Sequence, residues 1–180
     1  MRNLRKARAA SAKWNAGDAL RYNRVDLYAN IHADIPLETD MTSLQAFHIA
    51  IPVHDFDAAR SFYGKVLGCL ERRSGRRWLE YELMGHQLVA HLEPDMKLDR
   101  LHAPVDERHL PVPHFGVVLT MLQWHELVKR IRQAGVSFAV EPAIHSEGQP
   151  DEQATFFIFD PSGNALEFKA LADMSYLFGK

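Results

Sequence analysis

Thiol chemistry is almost missing from this sequence, in which Cys69 is the single cysteine. One thiol forms no internal disulfide and no thiolate cluster for structural zinc, so the fold rests on its apolar core, and a reducing, cytoplasmic compartment is the expectation. Long apolar runs are lacking too: a bilayer-spanning helix needs roughly 20 consecutive apolar residues, and no stretch approaches that. Charge of one sign is not in excess either, since 21 basic and 23 acidic side chains leave a formal net charge of −2. Such a balance builds no field that gathers nucleic-acid phosphates. A small-molecule ligand therefore fits better than nucleic acid or a membrane.

What is present is the composition of a folded protein. With 180 residues, 47% of them apolar, the chain suffices for one compact domain or for two small halves sharing a core. Residues 1–43 stand apart as an N-terminal extension, with Arg2, Arg5, Lys6, Arg8, Lys13, Arg21 and Arg24 set against few acids. An accessory arm is the expectation, or a start placed too early, since Met41 sits just ahead of the first strong strand. An organelle-targeting peptide is the alternative for so basic a start.

From residue 44 the pattern repeats. Phe47 to Ile51 is a short apolar strand, and Asp55 caps a helix whose apolar face carries Phe56, Ala59, Phe62, Tyr63 and Val66, ending at Gly68. Trp78 to Leu83 and Gln87 to Leu92 are strands joined by a tight turn at Met84-Gly85-His86. The second half follows the same plan: strand His114 to Leu119, cap Thr120, helix Leu122 to Ala134, stop Gly135, and a closing hairpin from Thr155 to Ala170 around Asp160-Pro161-Ser162-Gly163-Asn164. This predicts module one over residues 44–93, an exposed linker over 94–112, module two over 113–171, and a tail over 172–180.

His48 and His114 occupy matching places in the two halves, each near the start of a first strand. A polar ring within an apolar strand needs a partner, or it loses several kcal/mol of solvation. Glu167 poses the same problem between Leu166 and Phe168, on the strand face it shares with Ala165 and Lys169. His91, at the end of the last strand of the first half, is read as the counterpart of Glu167. If equivalent halves face each other, His48, His91, His114 and Glu167 converge, and nitrogen and carboxylate donors without thiolate suit Zn, Fe, Ni, Co or Mn. Other candidates have ordinary readings: His86 sits at a turn, His54, His102, His109 and His145 lie in loops, Arg76 and Arg77 face water, and Cys69 packs as a small apolar group.

The segments Phe47 to Val53, Asp57 to Gly68 and Pro113 to Val117, closed by Phe159-Asp160-Pro161-Ser162-Gly163-Asn164-Ala165-Leu166-Glu167-Phe168, resemble those of the vicinal oxygen chelate superfamily. That superfamily includes glyoxalase I, extradiol dioxygenases and bleomycin or fosfomycin resistance proteins. The resemblance covers about residues 44–171. It implies an α+β fold of two βαβββ modules forming curved mixed sheets around a metal cup. It also implies one divalent ion on His48, His114 and Glu167, and a small substrate binding that ion through adjacent oxygens. Modules in such proteins pair within one chain or across a homodimer, and a dimer is the expectation here.

The chain also departs from parts of the family pattern. His91 stands where glyoxalase I carries a metal-binding glutamate that acts as base, so His91 and Glu167 are the proton-transfer candidates. Phe157 stands where extradiol dioxygenases carry a tyrosine. A glyoxalase-like lyase or isomerase is therefore the leading expectation, an iron-dependent dioxygenase the second, and a non-catalytic resistance-type binder the third.

Overall fold

A computed structural model of the chain describes residues 45–96, 101–105 and 108–179. The N-terminal extension lies outside the described residues, as do the side chains of His102 and His109. Strand β1 is His48–Val53. Helix α1, Phe56–Ala59, starts where Asp55 accepts from the Ala58 N–H at 2.7 Å, and it runs on as a π-helical stretch, Arg60–Val66. Gly68, at φ +77°, ends that stretch. Three strands follow: β2 (Leu70–Gly75), β3 (Trp78–Leu83) and β4 (His86–Leu92). Between β3 and β4, Leu83 pairs with His86 across Met84 and Gly85, both at positive φ, as a two-residue hairpin requires.

The segment expected as an irregular linker carries a two-stranded hairpin, β5 (Leu101–Val105) paired with β6 (Arg108–Val112). One proline in each strand made the segment read as a loop. Module two then repeats module one: β7 (Phe115–Thr120), α2 (Met121–Gln133), β8 (Phe138–His145), β9 (Gln153–Phe159) and β10 (Ala165–Leu171). Thr120 and Gln123 form a reciprocal capping box at the start of α2.

Each module folds into one four-stranded mixed sheet, in the orders β1-β4-β3-β2 and β7-β10-β9-β8. The first and last strands of each module run parallel and the other pairs antiparallel. Alternation sends one set of side chains toward the helices: Ile51, Val53, Leu79, Tyr81, Leu83, Leu88 and Ala90 pack with Phe62 and Tyr63, while Phe156, Ile158, Leu166 and Phe168 pack with Trp124 and Ile131. The opposite faces carry His48, Gln87 and Glu80 in module one, and Glu167, Phe157 and Thr155 in module two.

Polar contacts tie the modules together. Tyr63 Oη donates to Asp160 Oδ2 at 2.8 Å, Asn164 Nδ2 donates to the Pro52 carbonyl at 2.8 Å, and Arg130 Nη1 donates to the Leu67 carbonyl at 3.2 Å. His54, expected to be merely solvated, also joins them: its N–H donates to Ser162 Oγ at 3.1 Å and its Nδ1 lies 2.9 Å from the same oxygen. Among the described residues no helix is long and apolar enough to cross a membrane.

Candidate metal centre

His114 directly precedes β7, and its ring is held on three sides. Nδ1 lies 2.7 Å from the Pro111 carbonyl oxygen, Nε2 lies 3.1 Å from Glu167 Oε2, and the ring stands edge-on to Phe157 with centroids 5.0 Å apart. Glu167 is central in its sheet, paired with Gly116 on β7 and Phe157 on β9. Its second oxygen, Oε1, accepts from Thr155 Oγ1 at 2.8 Å. Both carboxylate oxygens are thus engaged, and the side chain is 17% exposed.

The hydrogen bonds assign the chemistry of this pair. A carbonyl oxygen only accepts, so His114 Nδ1 carries a proton, and in the neutral ring Nε2 presents a lone pair. A lone pair facing a carboxylate oxygen at 3.1 Å requires a positive charge between them. Either a shared proton or a metal ion supplies it. Metal bonds of about 2.0–2.2 Å to imidazole nitrogen and carboxylate oxygen place adjacent donors about 3 Å apart, so the pair fits a divalent ion. Gly116 makes the arrangement possible, because a Cβ at that position would stand 1.5 Å from the Glu167 carbonyl oxygen.

His48 lies on module one. Its Nδ1 is 2.6 Å from Gln87 Oε1, the residue opposite it across the β1–β4 pair. Gln87 also hydrogen-bonds Glu80, whose carboxylate accepts from Arg73 Nη2 at 2.6 Å. The Arg73 hydrogen bond, with help from Gln87 and His48, holds the Glu80 carboxyl below its ordinary value. Arg73 and Gln87 both donate to Glu80, which turns the Gln87 amide so that its Oε1 accepts from His48; the His48 proton therefore sits on Nδ1 and Nε2 of this exposed ring carries the lone pair.

The expected convergence of four side chains does not occur within one chain. Among the described residues no three His, Cys, Asp or Glu side chains gather as a metal site; His114 and Glu167 come together, while His48 and His91 do not join them. The expected equivalence of His91 and Glu167 is also off by two residues. His48 pairs with Gln87 and Ile49 with Leu88, while Phe115, next to His114, pairs with Leu166. Superposing the halves sets Val89 on Glu167 and His91 on Lys169. The two hairpin turns differ in length, so position counted from a strand end misleads.

Other candidates take structural places. His86 Nδ1 accepts from the Phe47 N–H at 3.1 Å, and Arg77 donates to the Leu92 carbonyl at 2.6 Å. Thr155, Gln87 and Gly116 escaped the sequence reading. A glycine inside an apolar strand was the usable signal for the last, while the other two needed cross-strand register.

Two βαβββ modules, each with a helix-packed face and an open face, and one bearing an anchored imidazole and carboxylate, define an α+β protein of paired four-stranded mixed sheets. The chain belongs to the Glyoxalase/Bleomycin resistance protein/Dioxygenase superfamily, which it matches over residues 45–168. Among solved structures it resembles a glyoxalase/bleomycin resistance protein/dioxygenase from Alicyclobacillus acidocaldarius, at 34% identity and a TM-score of 0.59 over 72% of this chain and 92% of that one. It shares its fold with a glyoxalase/dioxygenase from Nostoc punctiforme, at 20% identity and a TM-score of 0.56 over 72% of this chain and 92% of that one. A fosfomycin resistance protein from Listeria monocytogenes has the same fold at 15% identity and a TM-score of 0.52, over 71% of this chain and 93% of that one. No curated protein matches the sequence significantly.

Proposed function

We propose that this protein is a metal-dependent enzyme of its superfamily, a glyoxalase-like lyase or isomerase acting on a small substrate that binds the ion through adjacent oxygens. The observation that carries this reading is the His114 Nε2 to Glu167 Oε2 contact of 3.1 Å, two acceptor atoms aimed at one point with their outer atoms anchored. His114 and Glu167 would hold one divalent ion, and Zn, Fe, Ni, Co and Mn all accept this donor set. When bound, the ion supplies Lewis acidity toward a substrate carbonyl.

The residues of the chain do the rest. Phe157, itself buried, backs the His114 ring edge-on and fixes its plane. Thr155 and the Pro111 carbonyl keep both donors from turning away. Proton transfer at the carbon next to the carbonyl falls to Glu167, since His91 pairs with Pro52 and Trp78 at the far end of β4 from Gln87, the partner of His48. The third protein ligand in this reading is His48 of a second copy, whose open Nε2 would complete a cup built from module one of one chain and module two of the other.

Elemental analysis of the purified full-length protein, followed by metal stripping and restoration with each candidate ion, tests this. His114→Ala and Glu167→Ala should each remove the metal while leaving the far-ultraviolet spectrum unchanged, and His54→Ala should retain it. Conversion of a methylglyoxal–glutathione hemithioacetal by the reloaded protein supports an isomerase; oxygen uptake with a catechol that appears only with ferrous iron would replace it by a dioxygenase. Wild-type protein that retains no ion under any loading condition defeats the metal reading and leaves a non-catalytic binder.

A further inference from the structure

Lys169 follows Glu167 by two residues in β10, so strand alternation puts both side chains on the open face of module two, about 7 Å apart along the strand. Register sets Lys169 between Val118 on β7 and Thr155 on β9. Neither neighbour is an anion, and the Thr155 hydroxyl is already committed to Glu167. Glu167, on the same face, is engaged by Thr155 and His114 and forms no ion pair with the lysine. Lys169 is half-buried, and among the described residues its side chain makes no hydrogen bond or ion pair.

That combination is unusual for a strand lysine. The residue is partly covered, and among the described residues no group pairs with its ammonium. The other strand cations on the open faces are neutralised: Arg72 pairs with Glu82, and Arg73 with Glu80. Superposition of the modules adds a second observation, because the position equivalent to Lys169 in module one carries His91, which is exposed. A basic side chain therefore stands one strand step beyond the Glu167 position in both halves.

We infer that Lys169 is the anion anchor of this cup, and that the substrate is a small oxyanion, bearing a carboxylate or phosphonate group alongside the oxygens directed at His114 and Glu167. The four-carbon stem lets the ammonium reach a charge held a few ångströms from the carboxylate of Glu167 without forcing contact between them. A neutral diketone or catechol of the same size leaves the lysine unpaired and is disfavoured. For the position of the chelating oxygens this inference rests on the metal reading above. The anchor itself depends only on the unpaired ammonium.

Methylphosphonate is the probe. Its binding to full-length wild type, Lys169→Met, Lys169→Arg and His114→Ala is measured by calorimetry, with zinc content determined for each sample. Lys169→Met should weaken binding at least tenfold with unchanged zinc content and thermal midpoint, and Lys169→Arg should recover part of the loss. Equal affinity in wild type and Lys169→Met, or no binding by wild type, overturns the anchor while leaving the metal reading standing if zinc is present. Wild type that holds no zinc yet loses phosphonate affinity on Lys169→Met sinks the metal reading and keeps the anchor. Should Lys169→Met fold poorly, Lys169→Arg against Lys169→Gln decides the same question.

Discussion

Tyr63 and Asp160, far apart in sequence, meet in the core with the phenol hydroxyl 2.8 Å from Oδ2 of the carboxylate. The same carboxylate accepts from the Ser162 N–H, the Asn164 N–H and Asn164 Nδ2, at 2.9, 2.8 and 2.7 Å. This one anion therefore shapes the turn that launches β10 and fastens that turn to the helical segment of module one.

Tyr63→Phe should cost about 1–2 kcal/mol, the loss of one buried hydrogen bond to a charged acceptor. Asp160→Ala strands several donors at once and should cost about 3 kcal/mol or more. Urea denaturation midpoints of the two variants check the order, and equal losses would contradict the shared role assigned to the carboxylate.

Alkali should weaken the fold. Burial, reinforced by Asp160, holds the Tyr63 phenol well above its ordinary value, and burial pushes the Cys69 thiol and the Tyr81 phenol each up to about 12. In the unfolded chain these groups lose protons near 9.0 and 10.0, whereas the folded chain retains them, so their contribution is full below about pH 9 and is lost as pH rises toward 12. Thermal midpoints should hold up to about pH 9 and fall from there to pH 11, and Cys69 should resist iodoacetamide in the native protein at pH 8.

Gly116→Ala places a methyl carbon against the Glu167 carbonyl oxygen. The β7–β10 pair must separate there, at about 2–4 kcal/mol, and the Glu167 side chain moves with its backbone. The expected result is a folded protein with a lowered midpoint and impaired metal retention.

Thr155→Val removes the donor to Glu167 Oε1 with little change of shape. Freed on that side, the carboxylate should bind metal about 10–100-fold more weakly, as happens when a ligand loses its supporting hydrogen bond. Competition with a chelating dye reads the change directly, and unchanged affinity would show that His114 alone orients Glu167.

The sequence revealed the repeat because its signals are local. Asp55 and Thr120 cap helices, Gly68 and Gly135 stop them, and the Met84-Gly85 turn closes a hairpin, each by chemistry confined to a few neighbouring residues. Strand β2 escaped because all of its residues are exposed, leaving no apolar alternation to read. The site was half legible. His114 and Glu167 stand out as polar groups in apolar strands, but partners such as Thr155 and Gln87 are set by register between strands, which no local pattern encodes. The same limit misplaced His91 by two positions, since strand pairing rather than strand ends defines equivalence.

Val89 stands in module one where module two holds Glu167, so the halves are not interchangeable. In a twofold assembly of the proposed kind, each cup draws its imidazole donor His48 from one subunit and its carboxylate from the other, giving two ions per pair. A mixed pair of one His48→Ala and one His114→Ala subunit would then concentrate both defects in a single cup and leave its sibling whole, so two defective preparations mixed in equal amounts regain about a quarter of normal occupancy on random exchange of subunits.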